Sequence, residues 1–364
     1  MMLSFGPALL LLLAAVVPSA QGTASGSSTT WDVSLLRRKP EWYATSEARG
    51  IANSVLQYQS ASGGWPKNTD LTKLPVTAEI LAEIQRSGSA DTIDNGATTT
   101  PMRFLALVGE WTGDARYREA FDRGLDYLLG AQYPNGGWPQ FFPLREGYYS
   151  HVTFNDDAMV NVLKLVRDVG AGKTPYSFVS APRKAKASAA FARGIEVILR
   201  TQLRRDGRLT AWCAQYDEKT LEPAWARKYE PPSLSGNESV GITRLLMEIE
   251  KPPPVVVAAI EGAVAWLKES AIAGVRVEEF TNADGRRDRR VVADASAPPL
   301  WARFYELGGN RPIFLDRDSK VHYDLGGIEH ERRNGYAYYG AWPAALLSKD
   351  YPRWRAKLGI KATP

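Results

Sequence analysis

Cysteine and histidine are scarce in this chain of 364 residues, which contains one cysteine, Cys213, and three histidines, His151, His322 and His330. A single cysteine excludes an intrachain disulfide and a zinc site built from several thiolates. No two histidines lie at helical spacing, so an imidazole-bound transition metal is not expected. Any metal should therefore be a hard cation that is bound by oxygen atoms.

Long apolar runs are also rare, and the one at residues 7–17 is followed by small residues. It is too short to span a bilayer and predicts a signal peptide at residues 1–20, with an uncleaved anchor as the alternative because no Lys or Arg precedes it. The Gly, Ser and Thr that follow predict a flexible linker at residues 21–38 and one folded domain at residues 39–364. We therefore expect a secreted or periplasmic protein without stable membrane association after signal cleavage.

The charge balance is positive, with a formal net charge of +5 and a sequence pI of about 9.1. The basic residues are interleaved with Trp and Tyr, a composition that suits an acidic polymer. Arginine forks bind carboxylates and aromatic faces cover sugar rings, so a polysaccharide that carries carboxylates fits best. Nucleic acid is not expected as a partner, given the export signal and the absence of a recognised binding motif.

Helical periodicity dominates, and few stretches alternate in the manner of β-strands. Helices are predicted at residues 46–58, 77–85, 101–110, 115–132, 157–169, 184–202, 238–249, 255–271 and 341–347. Gly-Gly-Trp-Pro at residues 63–66 recurs at residues 136–139 and, more loosely, before Trp212, so that the three tryptophans are 73 and 74 positions apart. Such an interval predicts a mainly α fold, an α/α toroid of repeated helical hairpins. We interpret each tryptophan as packed between helices, with a platform for sugar rings as the alternative.

Two oxygen-rich segments precede predicted helices, Asp94-Asn95 and Asn155-Asp156-Asp157. Capping a helix needs only one such side chain. In a toroid the starts of equivalent helices gather at one face, so the two segments should lie close together although 62 residues separate Asp94 from Asp156. Their carboxylate and amide oxygens suit calcium.

A third segment, at residues 206–239, is dense in polar residues that an ordinary loop does not require. Arg227 and Lys228 are either surface charges or groups that bind a substrate carboxylate or act as a base. Gln215 and Asp217 are either neighbours of the substrate or hydrogen-bonded supports of the loop.

Eight segments of the chain resemble the pectate lyases of polysaccharide lyase family 10: residues 63–68, 92–98, 136–143, 154–159, 212–217, 229–236, 310–314 and 331–336. The resemblance covers essentially everything after about residue 39. It implies a toroid-like helical enzyme that cleaves α-1,4-linked polygalacturonate (pectate) by calcium-assisted β-elimination, with an arginine as the base. Because arginine has an unperturbed pKa of about 12.5 or more, activity should rise towards alkaline pH.

Residue roles follow from the same resemblance. Arg227 matches the catalytic arginine. The implied calcium ligands are Asp94, Asn95, Asp156 and Asp157, and the implied substrate-binding residues are Asp94, Lys67, Gln215, Asp217, Lys228 and Arg317. A monomer is the default expectation for a secreted module of this size.

Two other functions remain open from the sequence. One is a glycoside hydrolase on the same type of toroid, with Asp94 and Asp156 as general acid and as nucleophile or base. The other is a polyuronate-binding protein without catalysis. The products distinguish them, because only a lyase leaves an unsaturated sugar that absorbs ultraviolet light.

Overall fold

Helices make up most of the regular structure, and they follow the order that the periodicity predicts. The computed structural model describes residues 30–73 and 76–359, so the predicted signal peptide lies outside the described residues. The helices are α1 (Ser46–Gln57), α2 (Ala78–Arg86), α3 (Thr99–Thr112), α4 (Ala115–Ala131), α5 (Ala158–Gly170), α6 (Ala181–Thr201), α7 (Glu238–Met247), α8 (Pro254–Glu269), α9 (His330–Gly335), α10 (Trp342–Ala345) and α11 (Tyr351–Lys357). The mainly α prediction is confirmed, whereas closure of the hairpins into a toroid stays a prediction.

Antiparallel strands, most of them two residues long, lie between the helices along the chain. The strands are β1 (Val152–Thr153), β2 (Arg204–Arg205), β3 (Arg208–Leu209), β4 (Gln215–Tyr216), β5 (Leu234–Ser235), β6 (Val275–Thr281), β7 (Arg287–Ala293), β8 (Trp301–Ala302), β9 (Phe304–Tyr305), β10 (Phe314–Leu315), β11 (Val321–His322) and β12 (Tyr339–Gly340). They pair as β1 with β4, β2 with β3, β5 with β9, β6 with β7, β8 with β12 and β10 with β11.

The hairpin of β6 and β7 is the longest of these pairs and was not predicted. Its strands run from Val275 opposite Ala293 to Thr281 opposite Arg287. Cross-strand ion pairs hold it, such as that of Glu278 with Arg290 at 2.7 Å. Because charged side chains occupy much of both faces, the sequence lacks the apolar alternation by which strands are recognised.

The three repeated tryptophans occupy equivalent positions, and all are fully buried. Each indole N–H donates to a carbonyl near the end of an earlier helix, Trp65 to Val55, Trp138 to Leu128 and Trp212 to Ile198, at 2.9, 2.7 and 2.7 Å. The packing interpretation is therefore confirmed, and these tryptophans are not platforms for sugar. Trp301 makes the same bond to Leu267 at 2.7 Å, although no Gly-Gly precedes it.

The turns that carry Trp65 and Trp138 dock onto a later helix. Gln59 Nε2 donates to the carbonyl of Gly63 at 2.9 Å and to one in α4 at 2.8 Å. Gly63 has a φ of +100°, and a Cβ there would lie 2.5 Å from the carbonyl oxygen of Arg123 in α4. Gln132 and Gly136 repeat these contacts against α6. The repeat thus encodes both a left-handed turn and a close helix contact, which only glycine permits.

The folded unit begins earlier than predicted. Val33–Arg37 form a 3-10 helix within the predicted linker, and Leu35 is buried in the core. Trp31 packs edge-on against Phe104, with 5.6 Å between the ring centroids. Within residues 30–73 and 76–359, no helix has the length and apolar character needed to cross a bilayer.

Candidate active site

The two oxygen-rich segments form short 3-10 turns that pack against each other, Asp94–Gly96 before α3 and Asn155–Asp157 before α5. The predicted proximity of the two segments is confirmed. Asn95, Asp156 and Asp157 have φ values of 51°, 50° and 60°, in the left-handed region. Such backbone is uncommon outside glycine and clusters at functional sites. Both turns therefore hold polar side chains in fixed, strained positions.

Asp94 is buried and has one carboxylate oxygen without a partner. Its Oδ2 lies 2.6 Å from Nζ of Lys67, whereas its Oδ1 accepts no hydrogen bond from the described residues. A buried oxygen without a partner is rare in folded proteins, because it has lost its water. Asn95 follows on the exposed side, where its Nδ2 donates to Oδ1 of Asn68 at 3.3 Å. The free oxygen of Asp94 is therefore a candidate ligand for a cation.

Asp156 lies exposed on the neighbouring turn and is held by an arginine that the sequence analysis missed. Its Oδ1 accepts from Nη2 of Arg303 at 2.8 Å. Arg303 is buried and also pairs with the fully buried Glu238 at 2.5 Å. Burial acts to lower the pKa of Arg303, but the charge of Glu238 and its other neighbours outweigh this and raise the pKa above its ordinary value. The sequence did carry one signal for Arg303. It lies between the apolar residues of β8 and β9, and an arginine in such a run is expected to be buried and paired.

Asp157 is directed towards α7. A Cβ on Gly241 of α7 would lie only 1.8 Å from Oδ1 of Asp157, so this carboxylate occupies the space that glycine leaves. Burial, and then the nearby charge of Glu238, raise the pKa of Asp157 to about 6. These contacts are those of a packed side chain and do not support its predicted role as a calcium ligand.

Arg227 lies exposed at the site and is held by Glu230, three residues later. Nε donates to Oε2 of Glu230 at 2.8 Å, and Nη2 donates to Oε1. The guanidinium also lies 5.1 Å above the ring of Tyr229. Burial acts to lower the pKa of Arg227, but the Glu230 carboxylate outweighs it and raises the pKa above its ordinary value.

Two tyrosine rings connect the arginines of the site. The ring of Tyr336 lies 5.8 Å from the guanidinium carbon of Arg227 and 5.0 Å from that of Arg303. The ring of Tyr229 likewise contacts Arg227 and, at 5.5 Å, the predicted substrate-binding residue Arg317. The structure therefore brings Arg227, Arg303 and Arg317 into one region.

The other predicted substrate-binding residues differ in their surroundings. Gln215 is buried in β4 opposite Thr153, and its Oε1 has no partner among the described residues. Asp217 holds a turn, because its Oδ1 accepts from two backbone N–H groups at 2.9 and 2.7 Å. Its ligand atoms and those of His151 and Glu218 lie within 4.8 Å of one another, but none of the three residues is buried. Lys228 is exposed.

The site therefore combines ionised carboxylates with a group of cationic side chains. Asp94 and Asp156 each accept a hydrogen bond from a cation, an arrangement that suits ionised carboxylates and not a proton donor. Arg227 and Arg317 are exposed, and the ring of Tyr336 joins Arg227 to Arg303, which binds Asp156. Such a site is suited to an anionic substrate and a hard cation.

Comparison with known proteins agrees with this chemistry. A family model described as pectic acid lyase matches residues 59–347. A family 10 polysaccharide lyase from Cellvibrio cellulosa has a similar structure, with a TM-score of 0.74 and 31% identity over 88% of this chain and 96% of that chain. A point mutant of a family 10 polysaccharide lyase from that organism, in complex with trigalacturonic acid, gives a TM-score of 0.75 and 31% identity over 91% and 100%. Curated protein sequences give no match. The chain belongs to the pectic acid lyase family.

Proposed function

We propose that this protein is a secreted pectate lyase that cleaves α-1,4-linked polygalacturonate by calcium-assisted β-elimination, with Arg227 as the base. One observation carries the proposal: the turns of Asp94 and Asp156 pack together beside a group of arginines. Family membership favours elimination over hydrolysis and over binding without catalysis. The trigalacturonic acid bound to the structurally similar lyase supports a polyuronate as the substrate.

Asp94, Asn95 and Asp156 are the residues that would hold calcium. Their donor atoms are all oxygen, as calcium prefers, and the buried Oδ1 of Asp94 has no partner among the described residues. When bound, calcium supplies positive charge that favours loss of the proton next to the substrate carboxylate. Lys67 and Arg303 each pair with one of the two aspartates.

The arginines would act on the substrate. Arg317 is exposed, and its Nε and Nη2 donate to Glu331 at 3.2 Å, so a uronate carboxylate would bind at its remaining nitrogen or displace Glu331. Arg227 accepts the proton from the carbon next to the carboxylate. The electrons of that C–H bond form the new double bond, and the C–O bond at the next carbon breaks with its pair of electrons on the leaving oxygen. Because Arg227 must be neutral to accept the proton, turnover increases with pH.

The test is digestion of polygalacturonate with added calcium or with a chelator, followed by ultraviolet absorbance of the unsaturated product. We expect activity in calcium, none in chelator, and a loss of about 10²-fold or more in Arg227→Ala. Arg86→Ala, which removes an exposed arginine of α2 that is also paired with a glutamate three residues away, serves as the control.

Each remaining outcome would support another function or another base. New reducing ends without ultraviolet absorbance would establish the hydrolase. Binding without any cleavage at alkaline pH would establish the binding protein. Full activity of Arg227→Ala would remove Arg227 as the base.

Export and a monomeric state belong to the same proposal. N-terminal sequencing of the exported protein tests export, and sedimentation equilibrium tests the monomeric state.

A further inference from the structure

Glu230 is a buried carboxylate in the site that the reaction as proposed does not use. It lies in one turn with Arg227: the N–H of Glu230 donates to the carbonyl of Arg227 at 2.8 Å. The backbone N–H of Arg227 in turn donates to Oε2 of Glu230 at 3.1 Å. Together with the two side-chain bonds from Nε and Nη2, these contacts fix both the position and the plane of the guanidinium.

The contacts of Glu230 leave one nitrogen of Arg227 free. Within residues 30–73 and 76–359, the side-chain hydrogen bonds of Arg227 use Nε and Nη2, and Nη1 forms none. The side chain of Arg227 is 43% exposed, whereas that of Glu230 is 8% exposed. Glu230 therefore binds the Nε and Nη2 edge of the guanidinium and makes no hydrogen bond to Nη1.

This asymmetry has a chemical consequence for a neutral arginine. A neutral guanidine has one nitrogen whose lone pair can accept a proton, and the other two nitrogens keep their N–H groups. Loss of the proton from Nε, or of the Nη2 proton that points to Glu230, would break one of these bonds, so both survive only if the proton is lost from Nη1 or from the outer N–H of Nη2. A carboxylate orients a histidine base in serine proteases by the same logic.

Glu230 is itself held in place from the other side. The hydroxyl of Tyr336 donates to Oε1 of Glu230 at 2.8 Å. The ring of Tyr336 also contacts Arg303, which binds Asp156. Glu230 is thereby fixed relative to the turn that carries Asp156.

We propose that Glu230 is a positioning residue that orients Arg227 and directs its proton-accepting lone pair to the end of the guanidinium away from Glu230, at Nη1 or at the outer side of Nη2. This inference rests on the proposed function of Arg227 as the base. Glu230 has a second, opposing effect, because its negative charge favours the protonated guanidinium. Its removal should therefore lower turnover and at the same time move the alkaline rise of turnover to lower pH.

The test is Glu230→Gln, with kcat and KM for polygalacturonate measured across the alkaline pH range. We expect kcat to fall by about 10- to 100-fold, KM to change by less than about twofold, and the rise of kcat to begin at lower pH than in the wild type. Glu83→Gln, which neutralises the partner of Arg86 on α2, is the matched control and should leave all three quantities unchanged. A role in folding alone would reduce the amount of active enzyme without moving the pH profile.

Two further variants keep the test decisive if Glu230→Gln does not fold. Glu230→Asp keeps the charge but shortens the side chain, so kcat should fall while the alkaline rise stays at the wild-type pH. Tyr336→Phe removes one hydrogen bond to Glu230 and should lower kcat by about two- to tenfold.

The outcomes separate this inference from the proposed function. If the wild type forms no unsaturated product, the lyase proposal fails. If Arg227→Ala keeps full activity, the assignment of the base fails. If Arg227→Ala is inactive while Glu230→Gln has the wild-type kcat and pH profile, only the role of Glu230 is overturned.

Discussion

Nη2 of Arg303 lies 2.8 Å from Oδ1 of Asp156, although 147 residues separate them in the sequence. The same nitrogen pairs with Glu238 at the start of α7. Arg303 thus joins the exposed carboxylate of the site to a carboxylate that is fully buried. Its side chain provides positive charge to both.

Removing Arg303 should destabilise the protein as well as the site. Arg303→Ala leaves Glu238 as a buried charge without its cation, so we expect the free energy of unfolding at pH 7 to fall by about 3–5 kcal/mol. Urea denaturation measures this change, with Arg86→Ala as an exposed control that should stay within about 0.5 kcal/mol. A loss of less than about 1 kcal/mol in Arg303→Ala would contradict a stabilising ion pair between Arg303 and Glu238.

Lys67 should affect calcium and substrate in opposite directions. Nζ of Lys67 lies 2.6 Å from Oδ2 of Asp94, and its positive charge repels a nearby cation. Lys67→Met should therefore bind calcium about three- to tenfold more tightly, as measured by titration calorimetry, because a competing positive charge is removed. It should raise KM for polygalacturonate, since the substrate loses an attractive charge. Weaker calcium binding in this variant would indicate that Lys67 instead holds Asp94 in its binding position.

Asp157 should reduce stability at neutral pH. Its pKa is about 6 in the folded protein against an ordinary value of 3.8, so the folded state binds the proton more tightly than the unfolded state. The stability linked to this proton is present below pH 4 and is lost as the pH rises through 6. In chelator, Asp157→Asn should be more stable than the wild type by about 1–2 kcal/mol at pH 8 and nearly equal to it at pH 4. Equal stability at both pH values would show that the carboxylate is not desolvated.

The glycine of the repeated turn should not tolerate a side chain. In Gly63→Ala the new Cβ would meet a backbone carbonyl at 2.5 Å, and the residue would have to keep a φ of +100°. We expect the free energy of unfolding to fall by about 2 kcal/mol or more. Gly50 lies within α1 with open space around it, and Gly50→Ala should stabilise the protein by up to about 1 kcal/mol. Thermal or urea unfolding distinguishes the two substitutions, and similar values for both would refute the close helix contact.

Local patterns determined much of this protein. The 3.6-residue periodicity predicted the positions of α1 to α8, and Gly-Gly-Trp predicted turns whose tryptophans are buried. The repeat also placed the turns of Asp94 and Asp156 together, since equivalent helix starts recur at one end of the hairpins. The helices and the buried tryptophans lie within short segments, where residue type favours one backbone conformation and burial, whereas the proximity of the two turns was predicted from the regular spacing of the repeat.

The direction and partner of each side chain were decided only by the tertiary structure. Asp156 and Asp157 are neighbours in the sequence, yet one is exposed at the site and the other packs against α7. The hairpin of β6 and β7 depends on ion pairs between its strands. Its sequence therefore lacks the apolar alternation from which strands are predicted. Arg303 carried no motif, and its role arises because chain folding brings it to Asp156 and Glu238. Sequence patterns record local preference, whereas the electrostatics of this site depend on contacts between segments that are far apart in the chain.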